Sequence, residues 1–280
     1  MPSADLLSII TPCHSGSLNR NRIMKRYASI AALLCAGLLS SCGKDAIQTL
    51  ESAPLAASRV RFFNFGVNAP GVNFYANETK MTAITSGTGV ESTTGIAYGG
   101  VGAGGAYSAI DPGQYTLTGR IAAATNKDLP ISTVTTTIAD GKYYSFYMSG
   151  FYNSTAKTVE GFVVEDPVVP PPSFAVASVR FVHAISNANP MTLYAADTVA
   201  KTEVAIGSEV GYKAAGAFTN VPAGVYQLST RYTGSSTNAI IKSDVSFIGG
   251  KVYTLTARGD ITVTSSTATN RPFLDLTANR

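Results

Sequence analysis

Bulky side chains alternate with small or polar ones along short stretches of this chain, and those stretches occur twice. Tyr115-Thr116-Leu117-Thr118 and Tyr226-Gln227-Leu228-Ser229 alternate at period two, the pattern of a half-buried strand. Tyr144, Phe146 and Met148 fall on one face, while Val252, Thr254 and Thr256 alternate with Tyr253, Leu255 and Ala257. Val60, Phe62 and Asn64 alternate with Arg61 and Phe63, which predicts a strand with one face on a core. Turn chemistry precedes the strands. Asp111-Pro112-Gly113, Val221-Pro222-Ala223-Gly224, Asp140-Gly141 and Gly249-Gly250 combine proline, which fixes φ, with glycine, which permits positive φ. No helical period of 12 residues follows Cys42.

The strands belong to one unit present in two copies. Val60-Arg61-Phe62-Phe63-Asn64 returns as Val179-Arg180-Phe181-Val182-His183, and Tyr75-Ala76 as Tyr194-Ala195. Gly105-Ala106-Tyr107 returns as Gly216-Ala217-Phe218, and Pro112-Gly113-Gln114-Tyr115-Thr116-Leu117 as Ala223-Gly224-Val225-Tyr226-Gln227-Leu228. Gly141-Lys142-Tyr143-Tyr144-Ser145-Phe146 answers Gly250-Lys251-Val252-Tyr253-Thr254-Leu255. The offset drifts from 119 to 111 to 109, as it does when length changes sit in loops between fixed strands. The expected fold class is therefore all-β, with two tandem immunoglobulin-like β-sandwich domains over residues 57–166 and 175–280. Between them, residues 167–174 hold Pro167, Pro170, Pro171 and Pro172, which predicts a semi-rigid spacer and domains strung out along it.

Upstream, Lys25-Arg26 leads into the apolar run Ala28 to Leu38 and then Leu39-Ser40-Ser41-Cys42. Charge, apolar core and small residues in that order make a secretory signal, and the run is short of the roughly 20 residues a spanning helix needs. The stretch resembles the lipobox of bacterial lipoproteins. That likeness implies cleavage before Cys42, acylation of its thiol (a palmitate-type anchor) and attachment to a membrane, with the outer membrane of the cell envelope as the expected location. On this reading residues 1–23 are upstream sequence before a start at Met24, 24–41 the signal peptide, and 42–56 a tether.

Processing changes the charge. The formal +4 loses Arg20, Arg22, Lys25 and Arg26 against one acid, Asp5, leaving +1 over residues 42–280. That gives no case for nucleic acid as a partner, which wants a clustered basic face. Cys13 and Cys35 also lie upstream, so Cys42 alone remains, and the domains must rest on apolar cores without disulfides.

The motifs Val-Arg-Phe-Val-His-Ala at 179–184, Val-Pro-Ala-Gly-x-Tyr at 221–226 and Gly-Lys-x-Tyr-Thr-Leu at 250–255 resemble repeats of the family called domain of unknown function 4397. Such repeats occur in tandem in exported bacterial proteins, often lipoproteins of the Bacteroidetes type. The resemblance is sharper in the second copy, since the first has Phe63-Asn64-Phe65 where the second has Val182-His183-Ala184. It implies an exported β-sandwich module and transfers no catalytic or binding residue.

Little in the chain offers chemistry. His183 is the only histidine after Cys42, and Asn64 stands in its place in the first copy, which predicts a structural hydrogen-bonding side chain. With no second histidine or cysteine, neither a zinc ligand set nor a cofactor site is expected, and a Ser-His-Asp triad could draw only on this residue. The run from Gly99 to Gly105 lacks the following helix and Lys-Ser/Thr of a phosphate loop, so it is expected to be a flexible loop. Glu165-Asp166 and Asp244 could be imagined as glycosidase carboxylates, but Glu165-Asp166 sit beside the proline run, where a solvated domain end is expected. After Cys42 there remain thirteen tyrosines and twelve phenylalanines, most at alternating strand positions, so packing is their expected use. Tyr98, Tyr107, Tyr152, Tyr212 and Tyr232 lie near loops and are the candidate ligand contacts. The expectation is a non-catalytic, lipid-anchored binding or spacer module, not an enzyme. The alternatives are a glycan-binding lipoprotein of an uptake system, with a glycan or surface protein as partner, and a fimbria-like subunit.

Overall fold

A computed structural model describes residues 57–167 and 169–279; the expected signal peptide, the expected tether and Cys42 lie outside the described residues. Two halves of two sheets each emerge from the duplicated strand pattern. In the first repeat, β1 (Arg59–Val67), β8 (Tyr143–Asn153) and β9 (Thr158–Glu165) form one sheet in the order β4-β1-β8-β9, with β4 (Gly100–Val101) and β5 (Ser108–Ala109) both beside β1. The second sheet runs β3-β2-β6-β7, from β2 (Val72–Ala76), β3 (Thr79–Lys80), β6 (Gly113–Ile121) and β7 (Pro130–Ile138). The second repeat follows the same order, with the single strand β13 where the first has β4 and β5. Its sheets are β13-β10-β16-β17 and β12-β11-β14-β15, built from β10 (Val176–His183), β11 (Met191–Asp197), β12 (Glu203–Val210), β13 (Thr219–Pro222), β14 (Gly224–Tyr232), β15 (Ile240–Phe247), β16 (Val252–Arg258) and β17 (Phe273–Ala278). The all-β sandwich class read from the alternation holds.

The first strand of each repeat pairs in parallel with the penultimate one, Phe62 opposite Phe146 and Phe181 opposite Leu255. This pairing between distant strands explains why the repeated motifs lie at both ends of the unit. Phe62, Phe74 and Phe146 pack ring on ring between the sheets of repeat 1, with centroids 5.2 to 6.2 Å apart. At the same register, repeat 2 places Phe181, Leu193 and Leu255, all fully buried. The Gly-Lys-x-Tyr motif is a turn lock. Gly141 and Gly250 take φ of 68° and 78°, and the amides of Ala139 and Ile248 donate to the Tyr144 and Tyr253 hydroxyls, each at 3.2 Å.

The structure departs from the alternation in β1 and β10, which are buried along both faces. The face that was expected to meet solvent meets the other repeat. Phe63, Phe65, Tyr147, Phe162 and Val164 of the first repeat form one apolar cluster with Val182 and Ala184 of the second. The described residues of both repeats fall within a single compact unit, so the domains are not strung out along the proline run. A proline spacer limits how the chain itself bends, but it exerts no force against the burial of a shared aromatic layer. The glycine run is likewise more ordered than expected: Gly100–Val101 pair with β1, and Gly102–Gly105 follow as a short segment kinked by positive φ at Ala103 and Gly104, with Gly102 buried.

Candidate functional site

The densest polar chemistry lies in the seam between the repeats, and the strand pattern puts it there. Arg61 and Arg180 occupy the same position of β1 and β10, on the face turned away from their own cores. Arg61 donates from Nε to Ser145 Oγ (3.1 Å) and Arg180 from Nε to Thr254 Oγ1 (3.0 Å), equivalent hydroxyls on the parallel neighbour strands. Each guanidinium then reaches across to the last residues of the other repeat. Arg61 donates from Nη1 to the Ala278 carbonyl (3.4 Å) and from Nη2 to Asn279 Oδ1 (2.6 Å). Arg180 donates from Nη1 to the Glu165 carbonyl (2.9 Å) and from Nη2 to Asp166 Oδ1. The two arginines thus make a swapped, pseudo-two-fold clamp.

One carboxylate serves both cations. Asp166 Oδ2 lies 3.7 Å from Arg61 Nη2 and accepts from Tyr107 Oη (2.7 Å) and Ser145 Oγ (2.6 Å). Arg61, Arg180 and Asp166 are 1, 2 and 2 % exposed, so the expected solvated end at Asp166 is instead buried. Desolvation of such a group is tolerable because every oxygen is hydrogen-bonded and both cations are paired. Glu165 alone stays outside, paired with Lys142 at 2.9 Å. The Tyr107 ring lies 4.3 Å from the Arg61 guanidinium, and Phe218, its counterpart, 5.0 Å from that of Arg180. Burial, and then the Asp166 charge, push the Tyr107 phenol far above its ordinary range.

Tyr98 and Tyr212 form a second swapped pair. The residue after each, Gly99 and Lys213, has positive φ (78° and 66°) and donates its amide to the carbonyl of Asn64 or His183. Tyr212 crosses to repeat 1, where its hydroxyl meets Ser149 Oγ (2.9 Å) and donates to Glu160 Oε2 (2.8 Å). Burial raises its phenol well above the usual value. Tyr98 crosses to repeat 2, its ring 5.1 Å from the Arg258 guanidinium, which is itself paired with Asp275. Between these pairs, Phe63 stacks on Tyr147 at 4.5 Å and Tyr147 on Phe162 at 5.1 Å. Among the candidate contact tyrosines, then, Tyr98, Tyr107 and Tyr212 are turned into the seam. Tyr152 and Tyr232 lean on the cores of repeats 1 and 2. None of the five is fully exposed.

His183 is fully buried and hydrogen-bonded as Asn64 is. Its Nδ1 accepts the Ile185 amide (3.2 Å), and Nε2 lies 3.2 Å from the Asn189 carbonyl. Asn64 accepts the Gly66 amide with Oδ1 (3.3 Å) and donates from Nδ2 to the Ile96 (2.8 Å) and Pro70 (3.4 Å) carbonyls. Pro70 and Asn189 sit at the same offset as Asn64 and His183. An acceptor at Nδ1 requires the proton on Nε2, and burial pulls the imidazole below its ordinary range. No group of three His, Cys, Asp or Glu that could hold a metal occurs among the described residues. The seam is closed, so its chemistry is that of a joint.

The sequence held a signal for the clamp that alternation alone does not weigh. An arginine flanked by apolar residues inside a strand, repeated 119 residues on, marks a charge both copies must bury. The Asp166–Asn279 and Tyr98–Tyr212 equivalences, at offsets of 113 and 114, are hidden by loop length changes between the recognisable blocks.

The solved structure of the Bacillus anthracis TIE protein is similar over 72 % of this chain and 33 % of that one, at 14 % sequence identity and a TM-score of 0.23. This chain therefore spans about a third of that protein. A search of the curated proteins found no match. The family model described as domain of unknown function (DUF4397) matches residues 58–176 and again 177–278, two adjacent segments that coincide with the paired sandwiches. By these two matches, covering most of its length, the chain belongs to the DUF4397 family.

Proposed function

We propose that this protein is a non-catalytic cell-envelope module, anchored to the outer membrane through lipid on Cys42, whose two repeats act as one rigid body that binds or spaces a partner. The observation that carries the rigid-body reading is the swapped clamp, in which Arg61 and Arg180 each hold the end of the other repeat. Anchoring is supported by the Lys25-Arg26, apolar run and Leu39-Ser40-Ser41-Cys42 order. A joint of this kind resists bending, which suits a module that must hold a surface at a set distance from a membrane. Three acyl chains exceed the two signals that suffice for stable attachment. Cell fractionation with metabolic palmitate labelling tests the anchor: Cys42→Ala loses the label and moves to the soluble fraction. Unchanged membrane partitioning of that variant overturns it.

A further inference from the structure

The two repeats share the arginine clamp of the seam, but they differ where the last strand of each meets its second sheet, at the edge of the sandwich. In repeat 1 that edge is pinched shut. Gly161 of β9 lets β7 come so close that a Cβ there would lie 2.7 Å from Ser132 Oγ and 2.8 Å from the Phe146 ring, and Ser132 donates to the Glu160 carbonyl at 3.3 Å. In repeat 2, Leu274 takes the register position of Gly161, opposite Ala257 as Gly161 is opposite Met148. Its fully buried side chain fills the space that repeat 1 closes. The edge strands β15 and β17 consequently stand apart and enclose, with the 261–266 loop, a groove of about 710 Å³.

The lining sets cations and hydroxyls among apolar side chains. Lys242 stands opposite Leu228, where repeat 1 has Val134 opposite Leu117, and Phe273 takes the position of Glu160. Lys242 Nζ lies 4.3 Å and the Arg271 guanidinium 5.3 Å from the Phe273 ring. Ser243, Thr264, Ser265 and Ser266 add hydroxyls, Ile241, Ile261, Val263 and Pro272 are among the apolar side chains of the floor and walls, and no carboxylate is among the lining residues. Lys242 makes no ion pair among the described residues. Asp275, whose charge it feels, is engaged by Arg258. Burial lowers the affinity of Lys242 for its proton, as expected of a cation half removed from water without a partner anion. Of the donors on Arg271, one is used, Nη1 to the Ala268 carbonyl at 3.1 Å, leaving others for a carboxylate.

An extended peptide is a poor fit. Strand addition needs a regular edge, but β15 carries a bulge at Ser243 and Asp244, where the register slips between Tyr226 and Leu228 and Asp244 has a φ of 59°. Bulges of this kind blunt an edge against pairing. Recognition therefore falls to side chains: two cations and a row of hydroxyls.

We propose that the groove between β15 and β17 of repeat 2 is a binding site for a carboxylated (uronate-bearing) oligosaccharide, with Lys242 and Arg271 holding the carboxylates and the serine and threonine hydroxyls meeting the sugar hydroxyls. This rests on reading the chain as a non-catalytic binding module. The test is isothermal titration of the purified chain with oligogalacturonate, with its fully methyl-esterified form, and with polyglutamate of matched charge. The expected result is saturable binding of oligogalacturonate alone that weakens with salt. Lys242→Gln and Arg271→Gln should each weaken it about tenfold or more, as loss of a charge-assisted contact does. Lys242→Val, which installs the residue repeat 1 carries at that register, should do the same with the melting temperature unchanged. No binding, equal binding of the esterified form or of polyglutamate, or indifference to all three substitutions overturns the proposal. Shortened sugar released during the titration would instead count against the non-catalytic reading.

Discussion

Asp166 is the residue on which the seam turns, because two buried guanidinium groups share its carboxylate. Asp166→Asn leaves both cations without an anion, and removing one partner from a buried ion pair costs about 3–5 kcal/mol. Asn279 occupies the mirror position, held by Arg61 at 2.6 Å. Asn279→Asp should therefore restore part of the loss in the Asp166→Asn background, since the clamp then regains one carboxylate from the other end. Denaturant unfolding of the single and double variants decides this: a double variant no more stable than Asp166→Asn alone rules out the swapped symmetry. His183 gives a second, smaller test. His183→Asn installs the side chain that repeat 1 uses and should cost about 1 kcal/mol or less, whereas His183→Leu leaves the Ile185 amide unpaired at a cost of about 1–3 kcal/mol. Burial holds the folded imidazole below its ordinary value of 6.5, so the unfolded chain binds the proton more readily. The stability contribution is then full above pH 6.5 and falls as pH drops from there toward the folded value. Melting curves across that window should slope for the parent and flatten for His183→Asn.

At the scale of elements, the first and penultimate strands of each repeat do two jobs. Their inner faces build the sandwich through Phe62 and Phe146 or Phe181 and Leu255, and their outer faces build the seam through Phe63 and Tyr147 or Val182 and Thr254. Alternation predicts a strand but reads Arg61 and Phe63 as a boundary with solvent, because an arginine in the pattern ordinarily marks an exposed face. Two-sided burial is legible only when the other repeat is in place. The edge strands tell the opposite story, with equal topology and different spacing set by Gly161 and Leu274. Gly161→Ala should wedge β7 from β9, as its Cβ has no room beside Ser132 and Phe146, and overpacking of this kind costs about 1–3 kcal/mol. A melting temperature within error of the parent would show that the pinch is not tight.

For the whole molecule, a joint made of stacked rings and a buried charge cluster predicts one hydrodynamic body. Proteolysis should still enter between 169 and 175, where most residues are exposed, since exposed connecting segments are the preferred sites of nicking. The expected outcome after nicking is that the two halves elute together on size exclusion and separate only once the seam is disrupted, for instance by Asp166→Asn. Immediate separation of the parent's halves would return the picture to two beads on a spacer.

Sequence by itself determined the local terms: period two alternation, glycine and proline turns, a duplicated unit, and the signal-like order of residues that ends at Cys42. Apart from the duplication, which is read by comparing the two copies, each of these is written within a few residues, because strand alternation and turn dihedrals depend on near neighbours. It also made His183 and Asn64 equivalent, since one offset carries both. Tertiary structure alone decided that Asp166 is buried, that Tyr98, Tyr107 and Tyr212 face inward, and that one sandwich edge is shut while the other gapes. Those outcomes depend on which surfaces meet across more than a hundred residues of chain. Burial of one partner's charge or ring is settled by the shape and charge of the other, and the neighbouring residues hint at that meeting only through the arginines set among apolar residues at 61 and 180.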